Sequence, residues 1–106
     1  MSGQLLFTRG AWQGIAALAE LVAIREPGIM QPCPGLARGW IGFQLEEGML
    51  TPVYDPAPDL PPAPLLVLAE LEGLRVAIAA EQIERVAETP PEAVGLDDLY
   101  ASLNLM

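Results

Sequence analysis

Apolar positions in this chain fall into short runs separated by Gly and Pro punctuation, the pattern of a protein built from many short strands. The stretch from Gly39 to Asp55 organises the rest. Two apolar runs, Trp40–Leu45 and Met49–Tyr54, flank Glu46-Glu47-Gly48. The spacing predicts a β-hairpin whose Gly48 takes positive φ at the turn. Pro52 lies inside the second run and has no N–H to donate, which predicts an edge strand or a bulged one. Trp40 opens the hairpin and is expected to be at least half buried, with Ile41 and Phe43 dividing between the two faces of its strand.

Upstream, Leu5–Thr8 reads as a strand, Arg9-Gly10 as its turn and Ala11–Ala16 as the returning strand. Ala16–Ile24 is nearly all apolar and rich in helix formers, which predicts a short buried helix, strand remaining open for its later part. Pro27-Gly28 ends that segment, and Pro32-Cys33-Pro34-Gly35 reads as loop. Five prolines between Asp55 and Pro64 mark a stiff connector without helix and with few ladder bonds. Its Pro58-to-Pro61 spacing fits a polyproline ligand, but a linker is the simpler reading. Leu65–Leu71 is a well-buried strand, Glu72-Gly73 a turn, and Leu74–Ile78 a half-buried strand with Leu74, Val76 and Ile78 on one face. Ala80–Glu84 suggests a helical turn, and Arg85–Glu88 either continues it or begins a strand. Asp97 is a fair N-cap for a closing helix over Asp98–Leu103, with Leu99 and Leu103 stacked at i, i+4.

Shifting the chain by 63 places aligns Leu5 with Leu68, Gly10 with Gly73 and Ile15-Ala16-Ala17 with Ile78-Ala79-Ala80. The repeated order of strand, Gly turn, strand and proline stop suggests two similar β lobes in one domain. They would occupy about 1–55 and 65–106, joined by the proline-rich connector 56–64.

Charge and composition then narrow the function. The 106 residues allow one ordinary domain with its own core. Five Arg and no Lys stand against fourteen Asp plus Glu, for a net charge of −9. Such a surface repels nucleic acid and anionic lipid. No apolar run nears the ~20 residues of a membrane helix, so no membrane insertion is expected. The N-terminus has no basic, signal-like start, and the single Cys33 makes no internal disulfide. Both fit a cytoplasmic protein. With no histidine there is no Ser-His-Asp triad and no His metal site. With no lysine there is no Schiff base and no Walker-type phosphate loop. Cys33 has no histidine to activate it. Glu81, Glu84 and Glu88 read as a solvated face, and Asp55 and Asp59 are too few for a calcium site. No catalytic, cofactor or metal site is expected, and recognition is the expected job.

Two stretches together resemble the CheW-like family of chemosensory coupling domains. In the first, Pro32 and Pro34, Gly39, and Gly48-Met49-Leu50-Thr51-Pro52-Val53-Tyr54-Asp55 follow the family's glycine, apolar pair and Pro-Val-x-Asp strand. In the second, Leu65-Leu66-Val67-Leu68 and Leu74-Arg75-Val76-Ala77-Ile78 follow its paired strands, with Ala80–Val86 behind them. Leu5–Arg25 fits the opening hairpin and Leu96-Asp97-Asp98-Leu99 the closing segment. The resemblance implies an all-β fold of two SH3-like five-stranded barrels. It also implies a non-catalytic adaptor that binds a CheA-type histidine kinase and chemoreceptor-type proteins, or regulators of pili and gliding. The alternative is an unrelated small acidic β-barrel interaction module or complex subunit.

Two departures shape the expectations. Members of the family run to roughly one and a half times this length, and too few residues follow Glu88 to complete the second lobe. That lobe should be reduced, its unpaired edge covered by the closing helix or by a second copy in a homodimer. Where the family often has Asn-Leu-Arg-Gly, with an arginine that helps engage receptors, this chain reads Leu45-Glu46-Glu47-Gly48. Glu46, Glu47 and Met49 are therefore the candidate partner-binding residues. Both glutamates are expected in water at the hairpin tip.

Overall fold

The structure, a computed structural model, describes residues 3–33, 35–36 and 38–102. Ten strands and one short helix follow in order: β1 Gln4–Arg9, β2 Trp12–Ala17, β3 Leu21–Arg25, β4 Met30–Pro32, β5 Trp40–Glu46, β6 Met49–Tyr54, β7 Leu65–Leu71, β8 Leu74–Ala80, β9 Gln82–Val86, β10 Val94–Gly95 and α1 Leu96–Ser102. The fold is all-β, as its alternating patterns predict. Two sheets carry it, a four-stranded one ordered β10-β2-β1-β9 and a six-stranded one ordered β3-β7-β8-β6-β5-β4.

These sheets do not follow the division of the chain at its prolines. The hairpins related by the 63-residue shift, β1-β2 and β7-β8, sit at the centre of different sheets. Each then sends its next strand to the other: β3 pairs with β7, and β9 pairs with β1. A parallel strand completes each hairpin at matching positions. Val94 and Gly95 pair with Gly14 and Ile15, as Val53 and Tyr54 pair with Ala77 and Ile78. The echo in the sequence thus marks equivalent hairpins that exchange strands, not consecutive lobes. The six-stranded sheet inserts β4 and β5 before its parallel strand, whereas only residues 87–93 separate β9 from β10. The four-stranded sheet is the reduced one, and half of it comes from the start of the chain.

Two apolar clusters result. Between the sheets, Phe7 and Ala16 meet Val67, Ala69, Val76, Ile78 and Ala80, with Trp40, Leu96 and Leu99 added. The six-stranded sheet curls around the second cluster. There Val53, Leu66, Leu68, Ala77 and Ala79 pack with Ala23, Met30, Ile41 and Ala63 from its other strands and the connector. Strand β8 lies between the clusters, so Val76 to Ala80 are buried on both faces, not the single face its alternation suggests. Its small alanines on one side let the sheet curl tightly.

The central hairpin forms as predicted. Glu46 pairs with Met49, and the two-residue loop Glu47-Gly48 has φ of 50° and 81°. Glu72-Gly73 closes β7-β8 the same way, at 53° and 84°. Such paired left-handed loops match the right-handed twist of the strands they join. Trp40 is buried, and a bulge between Trp40 and Gly42 divides its neighbours. Ile41 enters the cluster inside the curled sheet, while Phe43, paired with Pro52, lies on the other face. Strand β6 is interior in the sheet, but only Val53 and Tyr54 pair with β8, so Pro52 needs no donor on that side.

Four further sequence expectations change. Ala16–Ile24 is not a buried helix. β2 runs to Ala17, a single 3-10 turn covers Leu18–Glu20, and β3 follows with Val22 and Ile24 exposed. The Glu20 carboxylate accepts the Ala17 N–H at 2.9 Å, which closes the turn, and the residues beyond it pair with β7, Val22 falling at a register irregularity. Residues 82–86 are the strand β9, because the partner edge of β1 outweighs a weak helical preference. Pro32 belongs to β4 and pairs with Gly42, where an added Cβ would collide with the Gln31 carbonyl. Helix α1 starts at Leu96, so Asp97 and Asp98 lie in its first turn, where acidic charge complements the exposed N–H groups. The readings of Pro34 as loop and of Leu103 stacked beneath Leu99 fall outside the described residues.

The connector is without helix or strand, as five prolines dictate. It is held at its start by the Asp55 carboxylate, which accepts the Ala57 N–H at 2.9 Å. Helix α1 packs against β10 and β2, and its Leu96 and Leu99 join the core. Tyr100 donates its hydroxyl to the Leu74 carbonyl at 2.6 Å, tying the helix across to the six-stranded sheet.

Candidate functional site

The tip of β5-β6 carries three exposed large apolar side chains, Leu45, Met49 and Leu50. Leu45 and Leu50 face each other across the hairpin and are 66% and 70% exposed. They share a face because directly paired residues of an antiparallel ladder point the same way. Extending the parallel register of β6 and β8 sets Leu50 level with Leu74, itself exposed. Met49 is exposed too, but it pairs with Glu46 and so lies on the opposite face of the hairpin from Leu45 and Leu50. The local reason is simple. The hairpin extends past the ladder that joins β6 to β8, so its last apolar pair has no sheet to pack on.

Charges rim this surface. Arg25 on β3 meets Glu46 at 3.3 Å and Glu47 at 3.8 Å. Arg75 on β8 meets Glu47 at 2.9 Å and Glu70 at 3.4 Å. The hydrogen bonds that Arg75 donates to Glu47 and, less strongly, to Glu70 raise its pKa above the ordinary value, against the opposing effect of desolvation. Glu46 is not in water as expected. It is only 8% exposed, pairs with Arg25 and accepts a hydrogen bond from the Gln44 side chain. Alternation along β5 explains this: Gln44 and Glu46 point toward β3, while Leu45 points out. Glu47, on the turn, is exposed as expected. The arginine contacts offset the acidity that the sequence suggests for the tip, and Leu45 and Leu50 stand out more than either glutamate.

A second cluster was not found from the sequence. Arg9, 1% exposed, ends β1 and reaches Asp55 through Nε at 3.1 Å and Nη2 at 3.2 Å. Its Nη1 donates to Glu81 at 2.9 Å. Glu81 also accepts the Gly10 N–H at 2.9 Å, and its own N–H donates to the Thr8 carbonyl at 2.7 Å. The Asp55 N–H donates to the Gly39 carbonyl at 2.7 Å. One guanidinium thus joins the first hairpin, the start of the connector and the crossover from β8 to β9. The hydrogen bond to Asp55 raises the Arg9 pKa despite the cost of burial. Beside it Trp12, Tyr54 and Trp40 form a row of tilted ring contacts, with ring centres 5.7 Å and 5.0 Å apart. Burial pushes the Tyr54 hydroxyl pKa up, and the nearby Arg38 opposes this. The scarcity of arginine was the available signal, since few cations among fourteen acids will each be paired.

The cluster has the geometry of a structural pin, since every charged atom of Arg9 faces a protein acceptor. Among the described residues no three His, Cys, Asp or Glu side chains are grouped to hold a metal ion. No helix among them is long and apolar enough to cross a membrane. What the arrangement offers is an exposed apolar pair at the tip of a hairpin, with charged groups nearby.

No family model matches the chain, and no curated protein matches it in sequence. The fold is similar to that of a solved structure, the scaffolding protein TtCheW from Thermoanaerobacter tengcongensis. The TM-score is 0.67 at 12% identity, over 88% of this chain and 73% of that one. This chain therefore has a CheW-like fold.

Proposed function

We propose that the protein is a non-catalytic adaptor in a bacterial chemosensory-type pathway, binding a CheA-type histidine kinase and, in some assemblies, receptors or regulators of pili or gliding. The exposed pair Leu45 and Leu50 carries the reading. Apolar patches with polar rims mark protein interaction sites on soluble proteins, and here the patch sits on a fold similar to that of a scaffolding protein. Glu47 lies at the turn beside the patch and sets which charge a partner presents, while Met49 adds apolar contact from the other face of the hairpin. Glu46 acts by holding Arg25. A basic rim on the partner is favoured, because the chain carries a net charge of −9.

The test is a binding titration of the purified chain against a purified CheA-type histidine kinase. Leu45→Asp with Leu50→Asp should abolish binding and leave the denaturation midpoint nearly unchanged, since both side chains are already in water. Binding that survives the double variant removes the hairpin from the interface. A lysate that returns only proteins outside such pathways favours the independent interaction module instead.

A further inference from the structure

The curled six-stranded sheet opens at one end into an apolar mouth of about 190 Å³, walled by Met30, Ile41, Val53, Leu66 and Ala79, with Ala63 of the connector at its side. Gly28 also lines it, and the next residue, Ile29, does not. Ile29 is 93% exposed, the most exposed large apolar side chain among the described residues. A knob and a hole that adjoin on one short loop are what a two-fold interface uses twice, because the rotation that seats one seats the other. We propose that Ile29 of one copy fills the mouth of a second copy, whose own Ile29 fills the first.

Size and chemistry fit this occupant. An apolar cavity of about 150 Å³ holds a benzene molecule, so the mouth accepts a branched four-carbon side chain with little void. The Gln44 amide at its edge is already engaged, accepting the Gly28 N–H at 3.3 Å and donating to Glu46. Asp55 is held by Arg9 and by the Ala57 N–H. The polar side chains of the mouth are therefore already matched within the chain, and it favours an apolar occupant over a charged or sugar-like one. Two seated side chains and their loops form a small interface, below the roughly 1,200 Å² of stable complexes. Each copy also carries a charge of −9. The dimer is accordingly weak, concentration-dependent and tighter at raised salt, where like-charge repulsion is screened. This inference does not rest on the adaptor reading.

Sedimentation of the purified chain over a wide concentration range, at low and raised salt, tests it. The wild type should move from monomer to dimer, at lower concentration when salt is raised. Ile29→Ser removes the knob and Ala63→Leu fills the hole; each alone should raise the dissociation constant at least tenfold, with thermal melts confirming that both fold. Should Ala63→Leu melt early, Ile29→Glu takes its place as a second variant, and it should abolish the dimer. Mixing Ile29→Ser with Ala63→Leu leaves one intact knob facing one open hole, so the mixture should associate more tightly than either variant alone. A wild type that stays monomeric at the highest concentration overturns the proposal. So does a dimer that survives Ile29→Ser, or a mixture no tighter than its components.

Discussion

Arg9 and Arg75 each hold two carboxylates, one pair at the junction of the sheets and the other at the hairpin tip. Arg9 is almost fully buried, and its Nε, Nη1 and Nη2 all donate to Asp55 or Glu81. Arg75 donates through Nη1 and Nη2 to Glu47 and Glu70, both open to solvent, and its Nε has no partner among the described residues. The contacts are of similar length, but the surroundings differ. Water can replace Glu47 or Glu70 when either moves away, whereas nothing can replace Asp55. The first cluster therefore fixes how the sheets meet, and the second shapes a surface without holding the fold together.

The largest expected effect comes from breaking the buried side. Arg9→Ala should cost about 3–5 kcal/mol, because it strands Asp55 and part of Glu81 without their cation. A urea midpoint close to wild type would show that water reaches the junction. Arg9→Met should cost much less once Asp55→Asn is added, since a pair removed together leaves no buried charge behind.

Glu46 sharpens the comparison because it sits at the tip yet behaves like the junction. Glu46→Ala should cost about 1–3 kcal/mol, the range for leaving a buried donor such as the Gln44 amide without its acceptor. Reversing both glutamates to arginine would therefore disturb the fold as well as any binding at the tip. Only the Glu47 reversal should leave folding intact. Equal midpoints for Glu46→Ala and Glu47→Ala would place both in water after all.

Tyr54 offers a way to disturb the junction without changing its charges. Its folded-state pKa lies above the unfolded value near 10. The stabilisation is therefore complete below about pH 10 and is lost as pH rises through the folded value. Urea midpoints measured upward from pH 9 should fall, and fall less steeply in Tyr54→Phe. Identical slopes would assign the alkaline loss to other groups. Arg9, raised from a higher starting value still, titrates beyond this window.

Much of the fold was legible in particular residues. Glu47-Gly48 and Glu72-Gly73 announced their hairpins, and the prolines announced the connector. The repeated Ile-Ala-Ala at Ile15 and Ile78 marked equivalent strands. What stayed hidden were long-range choices. Nothing within Leu21–Arg25 says that its partner is β7, or within Gln82–Val86 that its partner is β1, so helical propensity prevailed in both readings. The strand exchange follows from those two pairings and from no local pattern. The site was half legible for a similar reason. Turn chemistry located the tip, but the bulge at Trp40 and the nearness of Arg25 decided that Glu46 turns inward and Leu45 outward. Arginine scarcity hinted that Arg9 would be paired, but which acids it meets was not legible, because they lie 46 and 72 residues away.

The smallest expected effect concerns Glu47, and it tests whether the tip is a recognition surface separable from stability. Its carboxylate touches Arg75 at 2.9 Å and Arg25 at 3.8 Å but remains largely in water. Glu47→Gln keeps the size and the turn geometry, including the left-handed φ that either residue tolerates poorly. The change in stability should be below about 0.5 kcal/mol, as for most exposed substitutions, and should shrink further in high salt as the arginine contacts are screened. Binding should respond differently. With Glu47 neutral, Arg25 and Arg75 present more positive potential beside Leu45 and Leu50. A partner with a basic rim should associate more slowly at low salt, and the difference should fade as salt rises. Stopped-flow association rates at several salt concentrations measure this directly. An unchanged rate at low salt would leave the hairpin's apolar pair as the whole of the recognition surface and Glu47 as a solvated turn residue.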